Sequence, residues 1–191
     1  VALMGFALSI VISIPLAIAM MRSEFLSRTL YPLLVVIQST PVVAVAPLII
    51  VMMGSDDPSR VLITCLLTFF PLVVSTATGI NETPEELIEL SRSLDAPLRR
   101  ETWQIRIPYA IPHIFSGLKV AITLAIIGAV VAEFVAAEEG LGYFIQFSTS
   151  FFKIPQAFAG LFFLAAGSLL LFKSVQWTQQ IFFAWSLPKK K

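Results

Sequence analysis

Apolar positions along the chain do not alternate or recur every three to four residues; they run on. Val1–Met21 carries no charge, nor do Thr29–Ser55 and Val61–Asn81. Ile107–Ala132 is broken only by Lys119, with His113 near its start. Ile154–Phe172 is clean, and after Lys173 the apolar character continues to Leu187. A helix needs about 20 predominantly apolar residues to cross a bilayer. The runs therefore predict spans at 1–21, 30–53, 61–80, 111–137 and 156–180. The expected fold is an all-α membrane protein, one polytopic bundle of about five transmembrane helices over residues 1–191. The first run is a poor signal peptide, since no basic segment precedes it and no cleavage-like end follows. The chain opens on Val1 already inside a hydrophobic segment, which implies residues upstream, up to a whole helix.

Composition agrees with a membrane as solvent. Of 191 residues, 57% are hydrophobic and only 13% are charged, about half the usual charged share. Mean hydropathy is +0.87. A formal net charge of +1 gives no reason to expect nucleic acid as a partner. The single Cys65 cannot form an intrachain disulfide, and the single His113 leaves no metal-ligand cluster or Cys/His nucleophile pair to assemble. No G-x-x-x-x-G-K-[ST] phosphate loop is present. The expectation is a chain with no catalytic set, metal or cofactor of its own.

One interval breaks the pattern. From Pro84 to Pro108, nine of 25 residues are charged. Thr83-Pro84-Glu85-Glu86 reads as a helix start, with Thr83 as cap, Pro84 in the first helical position and Glu86 closing a capping box. Pro97 limits this first helix; Trp103, Ile105 and Ile107 restart the pattern until Pro108 and Pro112 lead into the fourth span. The expectation is two short helices in a structured loop, residues 81–108. A loop this long with its own structure is usually functional. The plainer reading is an amphipathic connector lying on the lipid surface.

Charge placement orients the chain. Arg22 and Arg28, then Arg92, Arg99, Arg100 and Arg106, then Lys189–Lys191 fall in alternate loops and so share one side. The opposite loops hold Asp56, Asp57, Glu138 and Glu139, with Arg60 and Lys153 at their edges. Basic loops stay in the cytoplasm, which predicts a cytoplasmic charged loop and C-terminus, and Val1 outside.

Within the spans, Gln38, Ser39 and Thr40 precede Pro41, and Pro47 and Pro71 follow. These residues read either as a kinked helix with local hydroxyl-to-backbone bonds or as polar groups presented to a translocation path. Gly117, Ala121, Ala125 and Ala129 recur four apart, with Gly128, Ala132 and Ala136 on a neighbouring stripe. Such faces allow close helix approach, either inside the bundle or along a pathway or subunit contact. The 21 residues from Pro112 to Glu133, at roughly 1.5 Å each, place Glu133 near the outer surface. It reads as an edge residue paired there or as a polar group at the mouth of a pathway, too far from Lys119 to pair with it. Gly140–Ile145, GLGYFI, suits a short re-entrant or interfacial segment with Tyr143 at headgroup level.

The stretch ELSRSLDAPLRRETWQIRIP resembles the cytoplasmic EAA motif of the permease subunits of binding-protein-dependent ABC importers. In that family a Glu is followed by two small or apolar residues, a Gly six positions on, and then Ile-x-Leu-Pro. Here Glu89 and Ser91 take the first positions, and Ile105, Ile107 and Pro108 match the ending at the family's spacing. Asp95 stands where Gly is usual; Asp tolerates left-handed geometry better than most residues. STPVVAVAPLIIVMMG resembles the family's second-span pattern, and SGLKVAITLAIIGAVVAEFVAAEEGLGYFI is similar to the branch that includes nitrate, sulfonate, taurine and thiamine-precursor permeases. The resemblance implies a type I importer fold in the cell inner membrane, with lipid around it. It implies a second permease copy, ABC ATPase subunits that carry out the hydrolysis, and an extracytoplasmic binding protein. It makes the charged loop a coupling helix, with Glu89, Leu90, Ser91, Asp95, Ala96 and Leu98 as the ATPase-docking contact. Gln38, Ser39, Thr40 and Glu133 are then pathway candidates. An ion-coupled secondary transporter would want ionisable residues deep in the spans, where only Lys119 and Glu133 are candidates and both lie toward the edges. A membrane scaffold would explain the spans and the loop but not the ordered match along the chain, and a membrane enzyme lacks a catalytic set.

Overall fold

The computed structural model describes residues 1–187. The basic tail Lys189–Lys191, expected on the cytoplasmic side, lies outside the described residues. The helices run α1 (Ala2–Arg22), α2 (Glu24–Ser39), α3 (Val42–Met53), α4 (Asp57–Asn81), α5 (Glu85–Ser93) and α6 (Leu98–Glu101). A π-helical turn at Thr102–Arg106 leads into α7 (Ile107–Ala136), followed by α8 (Leu141–Ser150) and α9 (Ile154–Phe182). No strand occurs among the described residues. Four helical stretches are long and apolar enough to cross a membrane, and a fifth crossing results if α2 and α3 count as one. This is the all-α polytopic bundle that the apolar runs predict.

The centre of the bundle is α4 against α7. A Cβ placed on Gly128 would meet Thr64 Cα at 2.9 Å, one on Gly117 would meet Ser75 Cβ at 2.7 Å, and one on Gly79 would meet His113 Cβ at 2.6 Å. Numbers rise on one helix as they fall on the other, so the two are antiparallel. The small-residue stripe lies in this seam: Ala121, Ala125, Ala129 and Ala132 are buried. Close backbone approach substitutes for a hydrophobic driving force that lipid does not supply between helices. Helix α1 runs parallel to α4 on an adjoining face and also touches α7. Gly5 abuts Thr64, the Ser13 hydroxyl donates to the Phe69 carbonyl at 3.1 Å, and Met20 packs on Val73.

Two parallel neighbours require a return crossing, and α2 with α3 supplies it. The two helices meet at 92° across Thr40-Pro41. This is far sharper than a proline kink, because α3 leaves the line of α2 to seat Ala46 against Ile63 and Ala132. Leu34 of α2 packs on Met20 and Val73. The span expected at 30–53 is thus two helices meeting at a corner.

The fourth crossing also departs from expectation. Pro108 and Pro112 do not separate a short helix from a span; Leu98–Ala136 is one helical stretch of 39 residues. The π turn makes this possible. The Ile107 N–H bonds to the Thr102 carbonyl, five residues back, just ahead of a proline that cannot donate. The outer face of α9 is apolar and exposed, with Phe158, Phe162, Leu170 and Ile181 all turned outward.

Candidate functional site

The charged loop sits at one end of the bundle, together with the C-terminal end of α1. Ile18 and Arg22 of α1 line one cavity with Leu98, Arg99 and Trp103. His113 of α7 meets Glu82 at 3.2 Å, closing the same end. The opposite end gathers Asp56, Arg60, Glu138 and Glu139 around a second cavity. Arg60 ties that end together, donating to the carbonyls of Ser55 at 2.9 Å and Ala136 at 3.3 Å. Alternate loops therefore share an end: Arg22, Arg28, Arg92, Arg99, Arg100 and Arg106 gather at one, interspersed with carboxylates, while the loops at the other hold Arg60 and Lys153 beside Asp56, Asp57, Glu138 and Glu139.

The loop begins differently from its expected capping box. Thr83 does not cap α5. Its hydroxyl donates back to the Ile80 carbonyl at 2.9 Å and the residue is buried. Glu86 makes no reciprocal cap, and Pro84 stands before the helix, which starts at Glu85. The hydroxyl serves an unpaired carbonyl in the last turn of α4 instead, a competing need at every helix C-terminus.

The turn after α5 is set by Asp95. Its φ of +51° places it in the left-handed region. The Asp95 N–H bonds to the Arg92 carbonyl and the Ala96 N–H to the Ser91 carbonyl, the paired bonds of a Schellman motif. The position usually held by Gly in the resembled motif thus needs that conformation, and Asp supplies it.

Helical spacing divides α5 into two faces. Ile88 and Ser91 are turned inward and buried, while Leu87, Leu90 and Leu94 are 42%, 57% and 73% exposed. Leu98, just past the turn, is 53% exposed and extends the ridge. Glu89 and Asp95 are exposed beside it, and Ala96 is half-buried. Ser91, expected at the docking surface, is 5% exposed, its side chain turned inward from the ridge. Its place on the outer face is taken by Leu87 and Leu94, which follow from the i, i+3, i+7 spacing through Leu90. Ile105, Ile107 and Pro108 are half-buried along the π turn and the start of α7.

Glu101 is the residue that reading by sequence misses. It lies in a charged run yet is only 2% exposed. Its Oε1 accepts from Arg106 Nε at 2.8 Å and lies 2.7 Å from Arg106 Nη2. Its Oε2 faces Arg92 Nε, on α5, at 3.8 Å.

The pathway candidates are scattered. Gln38, Ser39 and Thr40 are exposed at the α2–α3 corner. Ser39 and Thr40 donate their hydroxyls to the Val35 and Val36 carbonyls, relieving backbone groups at the break. Glu133 is engaged across the chain: its Oε2 accepts the Gly142 N–H at 2.6 Å, at the N-terminus of α8. Gly140, at φ +116°, leaves the room this requires, since a Cβ there would lie 2.5 Å from the carboxylate carbon. Lys119 donates to Gln179 Oε1 at 2.7 Å, and Gln179 passes the network on to Ser186. No cluster of three or more His, Cys, Asp or Glu able to hold a metal occurs among the described residues.

Comparison with known proteins places this geometry. Residues 9–185 match the family described as binding-protein-dependent transport system inner membrane component. The chain is 38% identical over 181 residues to the formylaminopyrimidine transport permease protein ThiX of Halalkalibacterium halodurans, covering 95% of this chain and 72% of the relative. It is 36% identical over 162 residues to the riboflavin transport system permease protein RibX of Chloroflexus aurantiacus, covering 85% and 60%. The taurine transport system permease protein TauC of Escherichia coli is 28% identical over 163 residues, covering 85% and 59%. A bundle of apolar crossings with a charged helical loop at one end, matched over nearly its whole length, makes this chain a multi-pass inner membrane protein of the binding-protein-dependent transport family, an ABC importer permease.

Proposed function

We propose that the chain is the permease subunit of an ATP-driven importer and that α5 is the handle by which separate ATPase subunits move it. The observation that carries this reading is the leucine ridge. Leu87 and Leu90 on α5, Leu94 at its C-terminal cap and Leu98 at the start of α6 are exposed in succession, beside Glu85, Glu86, Glu89 and Arg92. Contiguous apolar surface rimmed by charge marks a protein contact. Packing of the leucines would carry affinity, while Glu89 and the other charges would fix register. Asp95 and Ala96 shape the turn at the edge of that contact.

In this reading the arginine-rich end faces the cytoplasm and the arginine-poor end faces outward, in keeping with the retention of basic loops inside. Two copies of the permease would enclose the pathway, and ATP-driven closure of the ATPase pair would draw the two α5 helices together. An extracytoplasmic binding protein would deliver a small solute at the outer end. The relatives' named cargoes favour a small heterocycle of the formylaminopyrimidine kind or a small anion such as a sulfonate or nitrate. Gln38, Ser39 and Thr40 at the helix corner and Glu133 beside α8 are the polar groups nearest to such a path in this account. Lys119 and Glu133 are each held by a protein partner, which argues against their shuttling a coupling ion.

The test is co-purification with the ATPase subunit. Glu89→Arg and Leu90→Asp should leave the permease in the membrane at wild-type levels while lowering recovery of the ATPase about tenfold, the scale of 1–2 kcal/mol at a contact. Unchanged association in both variants would remove α5 from the mechanism.

A further inference from the structure

We propose that Glu101 is a positioning residue for coupling: it ties the handle α5 to the crossing α7, so that movement of one is movement of the other. This inference rests on the docking reading above and concerns what happens after docking.

The need for such a tie is plain from the packing. Helix α5 is joined to the chain by turns at both ends and makes few contacts with any other helix. Only Ile88 and Ser91 of α5 are buried. A force applied to its leucine ridge would swivel it unless something held it to the bundle. Glu101 is placed to do so. One carboxylate oxygen takes both Arg106 donors, and the other faces Arg92 on α5. Three elements converge on it: α5, the short α6 that carries it, and the π turn that opens α7.

The spacing points the same way. Glu101 and Arg106 are five residues apart. In an α-helix such residues point roughly 140° apart around the axis. In a π turn, with bonds from i to i+5, they approach one face. The pair therefore favours the wide turn specifically, and the wide turn is what lets α6 run unbroken into α7 past Pro108. Arg106 is 13% exposed and Glu101 3% by side chain, so water competes weakly for either. Removing one partner of a buried pair leaves an uncompensated charge, a far larger effect than losing a surface pair.

The experiment uses the permease assembled with its ATPase subunits in proteoliposomes, with Cys65 replaced by Ser and Phe134, near the outer end of α7, replaced by Cys as a labelling site. Two quantities are read: nucleotide occlusion by the ATPase on vanadate trapping, and the change in thiol labelling rate at position 134 that trapping causes. In Glu101→Gln, occlusion should persist while most of the labelling change is lost. Arg106→Lys keeps the charge and should retain part of the response; Arg92→Gln, an exposed change, should lower it without affecting assembly. A merely destabilised protein would lose occlusion and labelling change together. A labelling change equal to wild type in Glu101→Gln overturns the proposal. If that variant does not reach the membrane, an unchanged response in both Arg92→Gln and Arg106→Lys overturns it equally. A parent protein that fails to recover the ATPase at all refutes the docking reading instead.

Discussion

Asp95 holds φ at +51°, where most L-residues pay about 1–2 kcal/mol. Asp loses less, through its short polar side chain, and Gly would lose least. Asp95→Gly should therefore preserve or raise thermal stability, by up to about 1 kcal/mol, and keep uptake intact. Asp95→Val should lose about 1–2 kcal/mol. Melting curves of the purified permease check both, and a severe loss of uptake in Asp95→Gly would show that the carboxylate has its own role. The left-handed geometry is legible in the sequence: a motif position that favours Gly is one where φ turns positive, and Asp is among the few residues that tolerate it. Glu133 is half legible. Its depth in α7 follows from helix rise, but its partner, the Gly142 N–H, lies nine residues on, across a turn whose shape no local pattern fixes. Glu133→Gln keeps the acceptor but loses the charge at the positive end of α8, worth about 0.3–1 kcal/mol. Amide hydrogen exchange should quicken in Leu141–Ser150 and not in α4.

At the scale of elements, the α4–α7 seam is the least forgiving part of the molecule. Gly128 lies so close to Thr64 that its would-be Cβ meets backbone rather than the end of a flexible side chain. Gly128→Val must part the helices, and overpacking of this kind costs about 1–3 kcal/mol. Thermal unfolding in detergent should show that loss for Gly128→Val and little change for Gly167→Ala, whose Cβ would meet nothing within 4 Å. The small-residue stripe announces a close contact; it cannot announce which helix fills it. Two features of the elements are not legible. Pro41 reads as a kink, but packing of Ala46 against Ile63 and Ala132 turns it into a 92° corner. Pro108 reads as the boundary between the charged loop and the fourth span, but the π turn ahead of it carries α6 into α7 as one helical stretch. In both cases tertiary contacts decide what the proline does, and proline alone specifies only a lost donor. Glu101 stays hidden for a related reason: an acid in a charged run reads as solvated, and its partner Arg106 sits outside the i+3 and i+4 spacings by which helix pairs are recognised.

At the scale of the whole molecule, length and charge are what the sequence makes legible. Apolar runs of bilayer length need no tertiary information to be read as crossings, and the alternation of arginine-rich and arginine-poor loops sets which ends go together. The structure brings Arg22 to Arg99 at one end and Asp56 to Glu138 at the other. That segregation underlies the central claim, that the leucine ridge of α5 projects into the cytoplasm where an ATPase can grip it. Sidedness of single cysteines tests it most directly. With Cys65 replaced by Ser, Arg100→Cys and Glu138→Cys are each exposed to a membrane-impermeant maleimide in right-side-out and in inverted membrane vesicles. Position 100 should label only in inverted vesicles and position 138 only in right-side-out ones. Labelling of position 100 in right-side-out vesicles would contradict the claim, because a handle on the outer face could never meet its motor.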